Sequence, residues 1–360
     1  MTGKRIILTG GGSAGHVMPN VALFDALLEE GFELHYVGTP DGMERGIIEK
    51  YPYVQYHAIE SGKLRRGFSV SNIVKNVTDP IKILKGASQA KKLIFEIKPN
   101  IIFSKGGFVS VPIVFAAKGK VPIVAHECDF TPGLANKICA KHVDRICVSF
   151  EDTLAYCADK GVYTGTPIRA ELLHGDKAKG KEFLKFEDDK PILLVMGGSL
   201  GAQAVNDALR AAIPTLTQHF NIVHLCGKGK ADASYEGVLG YRQIEFLSKE
   251  LGDVFACTDV MVSRAGANSV FEILALKIPS LLIPLPASGS RGDQLQNAEY
   301  FKKRGYALVE LQENINPNRL CELVFSAYAK RHELIGAMQK DPASDSVTRV
   351  IDVIKECMAK

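Results

Sequence analysis

A histidine near the start of the chain follows a glycine-rich turn, and together they suit acid–base chemistry on a phosphate-bearing ligand. The turn, Gly10–Gly15, lies between an apolar strand-like segment and a helix-like one, and His16 comes next. The N–H groups of such a turn attract an anion, and an imidazole exchanges a proton near neutral pH. His16 is therefore a candidate base, although a helix-start histidine bonded to the backbone is the simpler interpretation of the spacing alone.

A second glycine turn opens the other half of the chain. Gly197–Ala202 follows the apolar run Ile192–Val195 and precedes a helical pattern. One such turn is weak evidence, because glycine also lets a helix pack closely on a strand. Two copies, one near the start of each half, predict two similar domains that face a shared, phosphate-rich ligand.

Two polar stretches in the second half suit a nucleotide sugar. Ser263–Glu272 follows a strand and opens a helix, so it offers another positive helix end to an anion. Glu272 could accept hydrogen bonds from the paired hydroxyls of a ribose, and Gln294 can donate to and accept from sugar hydroxyls. The alternatives are a helix-start acid favoured by the dipole at Glu272 and helix capping by Asp293.

Other phosphate-binding classes fit the sequence less well. A nicotinamide-binding domain needs an acid at the end of its second strand, but Glu33–Val37 runs into Gly38, and Asp41 lies beyond a proline. The P-loop motif G-x-x-x-x-G-K-[ST] is absent, as are H-x-x-x-H, cysteine pairs and a D-x-D after a strand. We therefore expect no metal and no cofactor, and helix ends and N–H groups would stabilise a departing diphosphate.

Composition indicates a two-domain globular protein. The chain has 360 residues, of which 46% are hydrophobic and 23% charged, and its net charge is +4. Its eight cysteines form no C-x-x-C pair, which predicts reduced, mostly buried thiols in a cytosolic protein. The first residues do not resemble a signal peptide, and no apolar run approaches the ~20 residues that span a bilayer.

Short apolar runs alternate with amphipathic ones, which predicts strand–helix–strand units and parallel sheets in an α/β protein. The predicted strands are Arg5–Thr9, Glu33–Val37, Val54–His57, Ile101–Ser104, Val121–Ala125, Arg145–Val148, Ile192–Met196, Asn221–Leu225, Gln243–Phe246, Asp259–Ser263, Ser280–Ile283 and Ala307–Val309. The predicted helices are Pro19–Glu30, Val111–Lys118, Gly133–Lys141, Glu151–Asp159, Ala202–Leu216, Ser248–Cys257, Asn268–Leu276, Gln294–Lys303 and Pro317–Tyr328.

The domain boundary is expected at the hinge-like segment Gly165–Pro167, where glycine and proline interrupt both helix and strand. This gives a first domain over residues 1–164 and a second over 165–343. The last segment, 344–360, has helical spacing, begins with a candidate cap at Ser344 or Asp345, and could pack back onto the first domain.

One basic stretch stands out. Lys63–Lys92 contains eight cations against the single acid Asp79, with apolar residues between them. This pattern suits an anionic membrane face, and the alternative is an amphipathic helix with a solvated basic face. Nucleic acid is a poorer fit, because Phe68 is the one aromatic residue of the stretch that could stack on bases.

Several motifs recur in the order and spacing of one family. They are the first glycine turn with His16, Ser104–Phe108, His126-Glu127, Gly165–Arg169, Gly197–Ala202, Arg264–Glu272 and Asp293–Ala298. Over essentially its full length the chain resembles the MurG family of peptidoglycan glycosyltransferases.

The resemblance implies a GT-B fold, with two Rossmann-like domains whose parallel sheets face a cleft. It implies inverting transfer of GlcNAc from UDP-GlcNAc to undecaprenyl-diphospho-MurNAc-pentapeptide (lipid I), which gives lipid II in peptidoglycan synthesis. The implied location is the cytoplasmic face of the cell membrane, peripherally bound through the Lys63–Lys92 region. Because the implied acceptor carries a long lipid, the resemblance favours the interpretation of the basic stretch as a membrane-facing surface.

The resemblance also implies residue roles. His16 matches the general base. For the donor, Ser199 would contact the diphosphate, Arg169 the nucleotide, Leu247 the uracil region, Glu272 the ribose hydroxyls and Gln294 the sugar. The remaining donor contacts are Ser13, Ala14 and Gly15 to the sugar, and Ala267, Asn268, Ser269, Val270 and Phe271 to the diphosphate and nucleotide. Gly106, Gly107 and the first glycine turn would face the acceptor diphosphate.

Two positions depart from the family pattern. Ala14 stands where many members have glycine, and its methyl group could tighten the turn. Cys128-Asp129 replaces a Gln-Asn pair, and an acid at Asp129 cannot donate as an amide does. The alternatives to this function are another GT-B enzyme that uses UDP-sugars, such as a glycolipid glycosyltransferase or an epimerase, and a non-enzymatic UDP-sugar-binding protein.

Overall fold

The computed structural model describes residues 3–62, 70–198, 201–287 and 292–359, with the side chains of 70–81 and 343–344 left aside. It divides into two compact units: Met1–Arg169 with Asp345–Lys360, and Ala170–Ser344. The chain passes from the first unit to the second a few residues beyond the expected 164/165 boundary.

The first unit is built on a seven-stranded parallel sheet in the order β3-β2-β1-β4-β5-β6-β7. Its strands are β1 (Lys4–Thr9), β2 (Phe32–Gly38), β3 (Val54–Ala58), β4 (Ile101–Ser104), β5 (Ile123–Glu127), β6 (Arg145–Val148) and β7 (Gly161–Tyr163). Its first helices are α1 (Ala14–Val21), α2 (Phe24–Glu29), α3 (Met43–Ile48), α4 (Val70–Ile97), α5 (Ser110–Ala117) and α6 (Leu134–Cys139). The inner strands are apolar runs because helices cover both faces of such a sheet.

The second unit repeats the plan with a six-stranded parallel sheet in the order β10-β9-β8-β11-β12-β13. Its strands are β8 (Ile192–Met196), β9 (Asn221–Leu225), β10 (Tyr241–Ile244), β11 (Val260–Ser263), β12 (Ser280–Leu282) and β13 (Leu308–Val309). Its helices are α7 (Ala170–Leu173), α8 (Lys177–Leu184), α9 (Gln203–Leu216), α10 (Leu251–Cys257), α11 (Ala267–Leu276), α12 (Asp293–Lys303), α13 (Pro317–Ala329) and α14 (Arg331–Met338).

In each sheet the strand order reverses once, between β1 and β4 in the first unit and between β8 and β11 in the second. Ligands of doubly wound sheets bind at the carboxyl ends of the strands beside such a reversal. Both glycine turns follow the strand on one side of it, β1 or β8. The sequence therefore places each turn where its sheet binds a ligand.

The last helix, α15 (Ser346–Met358), belongs to the first unit. Asp345 caps it by accepting the N–H of Thr348 at 3.3 Å. Its apolar face, which includes Val350 and Ile354, joins the core cluster that contains Leu8 of β1. The segment predicted from its helical spacing is thus part of the first unit's core.

Some predicted elements differ in the structure. The predicted helix Glu151–Asp159 is wrong: two 3₁₀ turns, Glu151–Tyr156 and Ala158–Lys160, take its place, because Ala158 adopts a left-handed φ of 49° that breaks an α-helix. The predicted helix Pro19–Glu30 begins earlier, at Ala14, and divides into α1 and α2.

No disulfide joins the eight cysteines, all of which lie in the described part of the chain and are buried. Across the described residues, no helix combines the length and apolar character that a membrane-spanning segment needs.

Candidate active site

The first glycine turn packs tightly against the loop that follows β4. Gly12 has a left-handed φ of 84°, and a Cβ there would lie 2.6 Å from the ring of Phe108. A Cβ on Gly10 would lie 2.6 Å from the carbonyl oxygen of His16. Glycine is therefore required at both positions, by conformation at Gly12 and by the close approach of neighbouring atoms at both.

His16 lies in the first turn of α1, where it is partly exposed, and its N–H donates to the carbonyl of Ser13 at 3.1 Å. A Cβ on Gly107 would lie 3.3 Å from the imidazole Cδ2. The Gly106–Gly107 turn, with φ values of 87° and 79°, thus leaves room for the ring. The structure brings His16, the Gly10–Gly15 turn and the Gly106–Gly107 turn together where the strand order reverses between β1 and β4.

The other predicted sugar contacts of the first unit surround this histidine in the chain. Ser13 precedes α1 and is exposed, while Ala14 and Gly15 occupy its first turn and are partly exposed. Arg169, the predicted nucleotide contact, ends the first of the two chain segments that form the first unit, and it is partly exposed.

The loop after β5 is organised by the buried carboxylate of Glu127. It accepts the N–H of Asp129 at 3.0 Å, the N–H of Gly133 at 2.8 Å and the side-chain amide of Asn136 at 2.8 Å. A Cβ on Gly106 would lie 2.8 Å from the Oδ1 of Asn136. Glu127 therefore fixes the neighbour of the Gly106–Gly107 turn, and Asp129 is held by its backbone.

Glu127, Cys128 and Asp129 place their ligand atoms within 4.8 Å of one another, the one such group among the described residues. Burial raises the pKa of the Cys128 thiol to about 12. A cysteine binds a metal ion as the thiolate, which burial disfavours at Cys128. The Glu127 carboxylate already accepts three hydrogen bonds. The donor set fits a loop anchor and does not fit a metal site.

The second glycine turn presents an open surface beside the amino end of α9. A Cβ on Gly197 would collide with the backbone nitrogen of Ala202, and one on Gly201 with the carbonyl oxygen of Cys226. Gly198 has a φ of 81°, and a Cβ there would meet no atom of the described residues within 4 Å. Two glycines thus close the turn and the third leaves space above it. Ser199 lies outside the described residues.

The loop after β11 presents a second helix start, that of α11. Gly266 is its N-cap, and within the described part of the chain a Cβ there would have no neighbour inside 4 Å. Asn268 and Glu272 are partly exposed and lie one turn apart on the same face of the helix. The Oδ1 of Asn268 is buried and has no hydrogen-bond partner among the described residues. This face therefore combines a helix amino end with two polar side chains.

The remaining predicted donor contacts divide into exposed and buried positions. Ala267 and Ser269 are partly exposed in the first turn of α11. Val270 and Phe271 are buried, and the ring of Phe271 meets that of Phe301 edge-on at 5.9 Å. Leu247 is also buried. The side chains of these last three predicted residues belong to the core.

Gln294 lies in the first turn of α12, and its Oε1 accepts the N–H of Leu285 at 3.0 Å. The side-chain oxygen thus ties the loop after β12 to this helix. The side-chain NH₂ group is the hydrogen-bond donor of this residue.

Two anchors of this region were not assigned a role from the sequence. Arg264 is buried and donates to the carbonyls of Ile283 at 3.0 Å and Pro284 at 3.2 Å. Asn297 donates to the carbonyl of Ala265 at 3.0 Å. Both positions fall in the quoted motifs, but their contacts join separate loops and carry no local sequence signal.

Two family models match the chain: the glycosyltransferase family 28 N-terminal domain over residues 6–148 and the glycosyltransferase family 28 C-terminal domain over residues 192–354. This chain belongs to glycosyltransferase family 28. The first model reaches from β1 to β6 and the second spans β8 to β13, so the two glycine turns Gly10–Gly15 and Gly197–Ala202 both lie within the matched residues.

Curated relatives match at high identity. The UDP-N-acetylglucosamine--N-acetylmuramyl-(pentapeptide) pyrophosphoryl-undecaprenol N-acetylglucosamine transferase of Lachnospira eligens is 50% identical over 355 residues, which cover 98% of this chain and 99% of that protein. The transferase of the same name from Clostridium novyi is 48% identical over 99% of both chains.

Among solved structures, Acinetobacter baumannii MurG superposes with a TM-score of 0.77 over 98% of this chain and 99% of its own, at 24% identity. At that identity the likeness shows the fold, which is the GT-B fold of two α/β domains with parallel sheets. The predicted fold class is confirmed.

Proposed function

We propose that this family 28 enzyme transfers GlcNAc from UDP-GlcNAc to undecaprenyl-diphospho-MurNAc-pentapeptide, the lipid I acceptor, and so makes lipid II for peptidoglycan. The observation that carries the proposal is the second unit's switch point. There the glycine turn beside α9 and the start of α11, which has a glycine N-cap and no side-chain cap among the described residues, follow neighbouring strands, with Glu272 one helical turn from Asn268. This arrangement suits a nucleoside diphosphate.

The reaction is an inverting displacement. The acceptor hydroxyl oxygen attacks the anomeric carbon of GlcNAc from the face opposite the UDP group. The new C–O bond forms as the bond to the diphosphate breaks, and UDP leaves with the electron pair of that bond. His16 takes the hydroxyl proton.

The second unit would stabilise the departing charge. Backbone N–H groups at the starts of α9 and α11 are fixed before the reaction, so they need no reorganisation as negative charge develops on the diphosphate. Glu272 would accept hydrogen bonds from both ribose hydroxyls, and the Gln294 NH₂ group would donate to the sugar. Ser13, Ala14 and Gly15 would contact the sugar from the first unit.

The test is a UDP-release assay with UDP-GlcNAc, with and without a lipid I analogue, followed by mass spectrometry of the product. We expect UDP release that depends on the acceptor, and a product heavier than the acceptor by one GlcNAc residue. Release without acceptor, or an isomerised sugar, would indicate a different UDP-sugar enzyme. Binding of UDP-GlcNAc without turnover would indicate a sugar-nucleotide-binding protein.

The enzyme would act at the cytoplasmic face of the membrane, bound there by α4. Leu84 and Phe95 are 73% and 76% exposed, and Lys91 and Lys92 are exposed between them. Lys91, Lys92 and Phe95 follow Leu84 by seven, eight and eleven positions, and these spacings place all four side chains on one face of the helix. Apolar side chains among lysines suit an anionic bilayer surface. Residues 63–69 of the predicted basic stretch lie outside the described residues.

The membrane proposal is tested by co-sedimentation with phosphatidylglycerol vesicles. Replacing Leu84 and Phe95 with serine should weaken binding several-fold, and neutral phosphatidylcholine vesicles should bind less of the unaltered protein. A matched control is Leu239→Ser, an equally exposed leucine of the second unit. Equal binding by all three proteins would contradict the proposal.

A further inference from the structure

A fully buried carboxylate lies beneath the first glycine turn. Glu44, in the first turn of α3, has no exposed surface. Its Oε1 accepts the N–H of Thr39 at 2.9 Å and the hydroxyl of Thr39 at 2.7 Å. Its Oε2 accepts the N–H of Gly12 at 3.3 Å. One carboxylate therefore links the loop after β2 to the turn that precedes His16.

Three glycines make the space for this carboxylate. A Cβ on Gly11 would lie 2.8 Å from the carboxyl carbon of Glu44, and one on Gly38 would lie 2.8 Å from its Cγ. A Cβ on Gly42 would collide with Oε1. The glycines come from the first turn, the end of β2 and the residue before α3, so the cradle is assembled from three separate segments.

The rest of the turn is held in the same way, by side chains that approach from below. Tyr36 donates to the carbonyl of Gly10 at 2.6 Å, and Asn20 donates to the carbonyl of His16 at 3.3 Å. Of the three side chains Tyr36, Asn20 and Glu44, only Glu44 contacts the middle of the turn, at Gly12. Three residues lie between Gly12 and His16, so a shift of the turn would displace the imidazole.

The contact also changes what the turn can bind. The Gly12 N–H is already donated to a carboxylate, and a buried negative charge beside the turn opposes a second anion there. The Gly12 N–H is therefore not available to a diphosphate at this turn.

We propose that Glu44 is a positioning residue for the transfer reaction: its carboxylate fixes the Gly10–Gly12 turn and thereby sets the position of the His16 imidazole. This inference rests on the proposed function. A glutamine cannot replace the carboxylate, because one of its two side-chain polar atoms is a donor and would face either the Thr39 or the Gly12 N–H.

The test compares Glu44→Gln with Thr39→Val in the full-length enzyme. Thr39→Val removes a hydrogen bond to Oε1 but leaves the Oε2 contact with Gly12. We expect kcat to fall about 10- to 100-fold in Glu44→Gln and by less than about threefold in Thr39→Val, with the Kd for UDP unchanged in both. Glu49→Gln, an exposed acid of the same segment, is the control.

A stability measurement and a replacement variant keep the outcome decisive. Thermal unfolding should show similar Tm losses for Glu44→Gln and Thr39→Val, so that a kcat difference reports position and not stability. If Glu44→Gln does not fold, Gly11→Ala serves instead, because its methyl group would push the carboxylate away from Gly12.

Equal kcat losses in Glu44→Gln and Thr39→Val, or unchanged kcat in a folded Glu44→Gln or Gly11→Ala, would overturn the inference. The unaltered enzyme is assayed in parallel with the lipid I analogue. If the unaltered enzyme releases no UDP, the proposed function is contradicted. If it releases UDP but the variants do not show the predicted kcat losses, only the role of Glu44 is contradicted.

Discussion

His126 Nε2 lies 2.9 Å from the carbonyl oxygen of Gly165, in the segment that leads out of the first sheet. A carbonyl only accepts, so this nitrogen carries the proton and donates. The ring is fully buried, and burial together with the charge of Lys105 holds its pKa well below the usual range. A neutral histidine thus holds the start of the connection between the two units.

Acid should therefore destabilise the protein. The folded-state pKa of His126 is depressed, and burial lowers the pKa of His224 in the second unit to about 3. Below the unfolded-state pKa of about 6.5, the unfolded chain binds more protons, so stability is lost as pH falls. Each histidine contributes up to about 1.4 kcal/mol per pH unit.

Urea unfolding at pH 7.5 and 5.5 measures this effect, with a lower midpoint expected at pH 5.5. His224→Gln, which stays neutral, should reduce the pH dependence. Equal midpoints for the unaltered protein at both pH values would show that these histidines are not buried in the neutral form.

His16→Ala should lower kcat about 10²- to 10⁴-fold, because the proposed base is lost while the proposed donor residues of the second unit are unaltered. Calorimetric titration should give an unchanged Kd for UDP. His174→Ala, at an exposed position of the second unit, is the control. Turnover within a few-fold of the unaltered enzyme would remove His16 from the role of base.

Glu272→Gln should weaken UDP binding by roughly 1–3 kcal/mol, since a carboxylate accepts hydrogen bonds from both ribose hydroxyls. The unaltered enzyme should bind 2′-deoxy-UDP less tightly than UDP, and the variant should distinguish the two much less. Glu299→Gln, which changes an exposed acid paired with Lys303 at 3.7 Å, is the control. Full discrimination by Glu272→Gln would contradict the ribose contact.

Gly198→Ala and Gly201→Ala should differ although they lie in one turn. The methyl group at 198 enters open space where a diphosphate would lie, so UDP binding should weaken. The methyl group at 201 meets the carbonyl of Cys226, so the Tm should fall further than in Gly198→Ala. Scanning calorimetry and UDP titration of both variants check the pair, and the reverse ranking would contradict this geometry.

Ile354→Ala should destabilise the first unit by about 2–5 kcal/mol, because this α15 side chain is fully buried in that unit's core. UDP binding by the second unit should persist. Val347→Ala, at a partly buried position of the same helix, should cost less. Hydrogen exchange followed by mass spectrometry would locate the loss. Increased exchange confined to residues 170–344 would contradict the assignment of α15 to the first core.

The sequence predicts the sheets well where apolar runs are continuous. Ile101–Ser104 and Ile192–Met196 have their predicted bounds, because a strand buried on both faces needs an unbroken apolar run. The three-residue strand Gly161–Tyr163 is too short to produce a pattern. Helix α3 was also not predicted, since its six residues span under two turns.

The site is less predictable than the sheets for a physical reason. Glycine turns and helix starts are local, so their positions can be found from the sequence. Glu44 lies 32 positions from Gly12, and Arg264 lies 19 and 20 positions from the two carbonyls that it binds. The one available signal for Glu44 is the pair of glycines shortly before it, Gly38 and Gly42. The reason why these positions need glycine becomes clear only once the Glu44 carboxylate is located.

The placement of α15 has a consequence for how the protein is made. The ribosome delivers residues 1–169 first, yet their core lacks Val350 and Ile354 until α15 has been synthesised. The second unit is one uninterrupted stretch and can close its own core while the first still waits for its last helix. The domain translated first is thus the last to be completed, and a chain truncated before residue 345 would carry a complete second unit attached to a first unit that lacks one of its core helices.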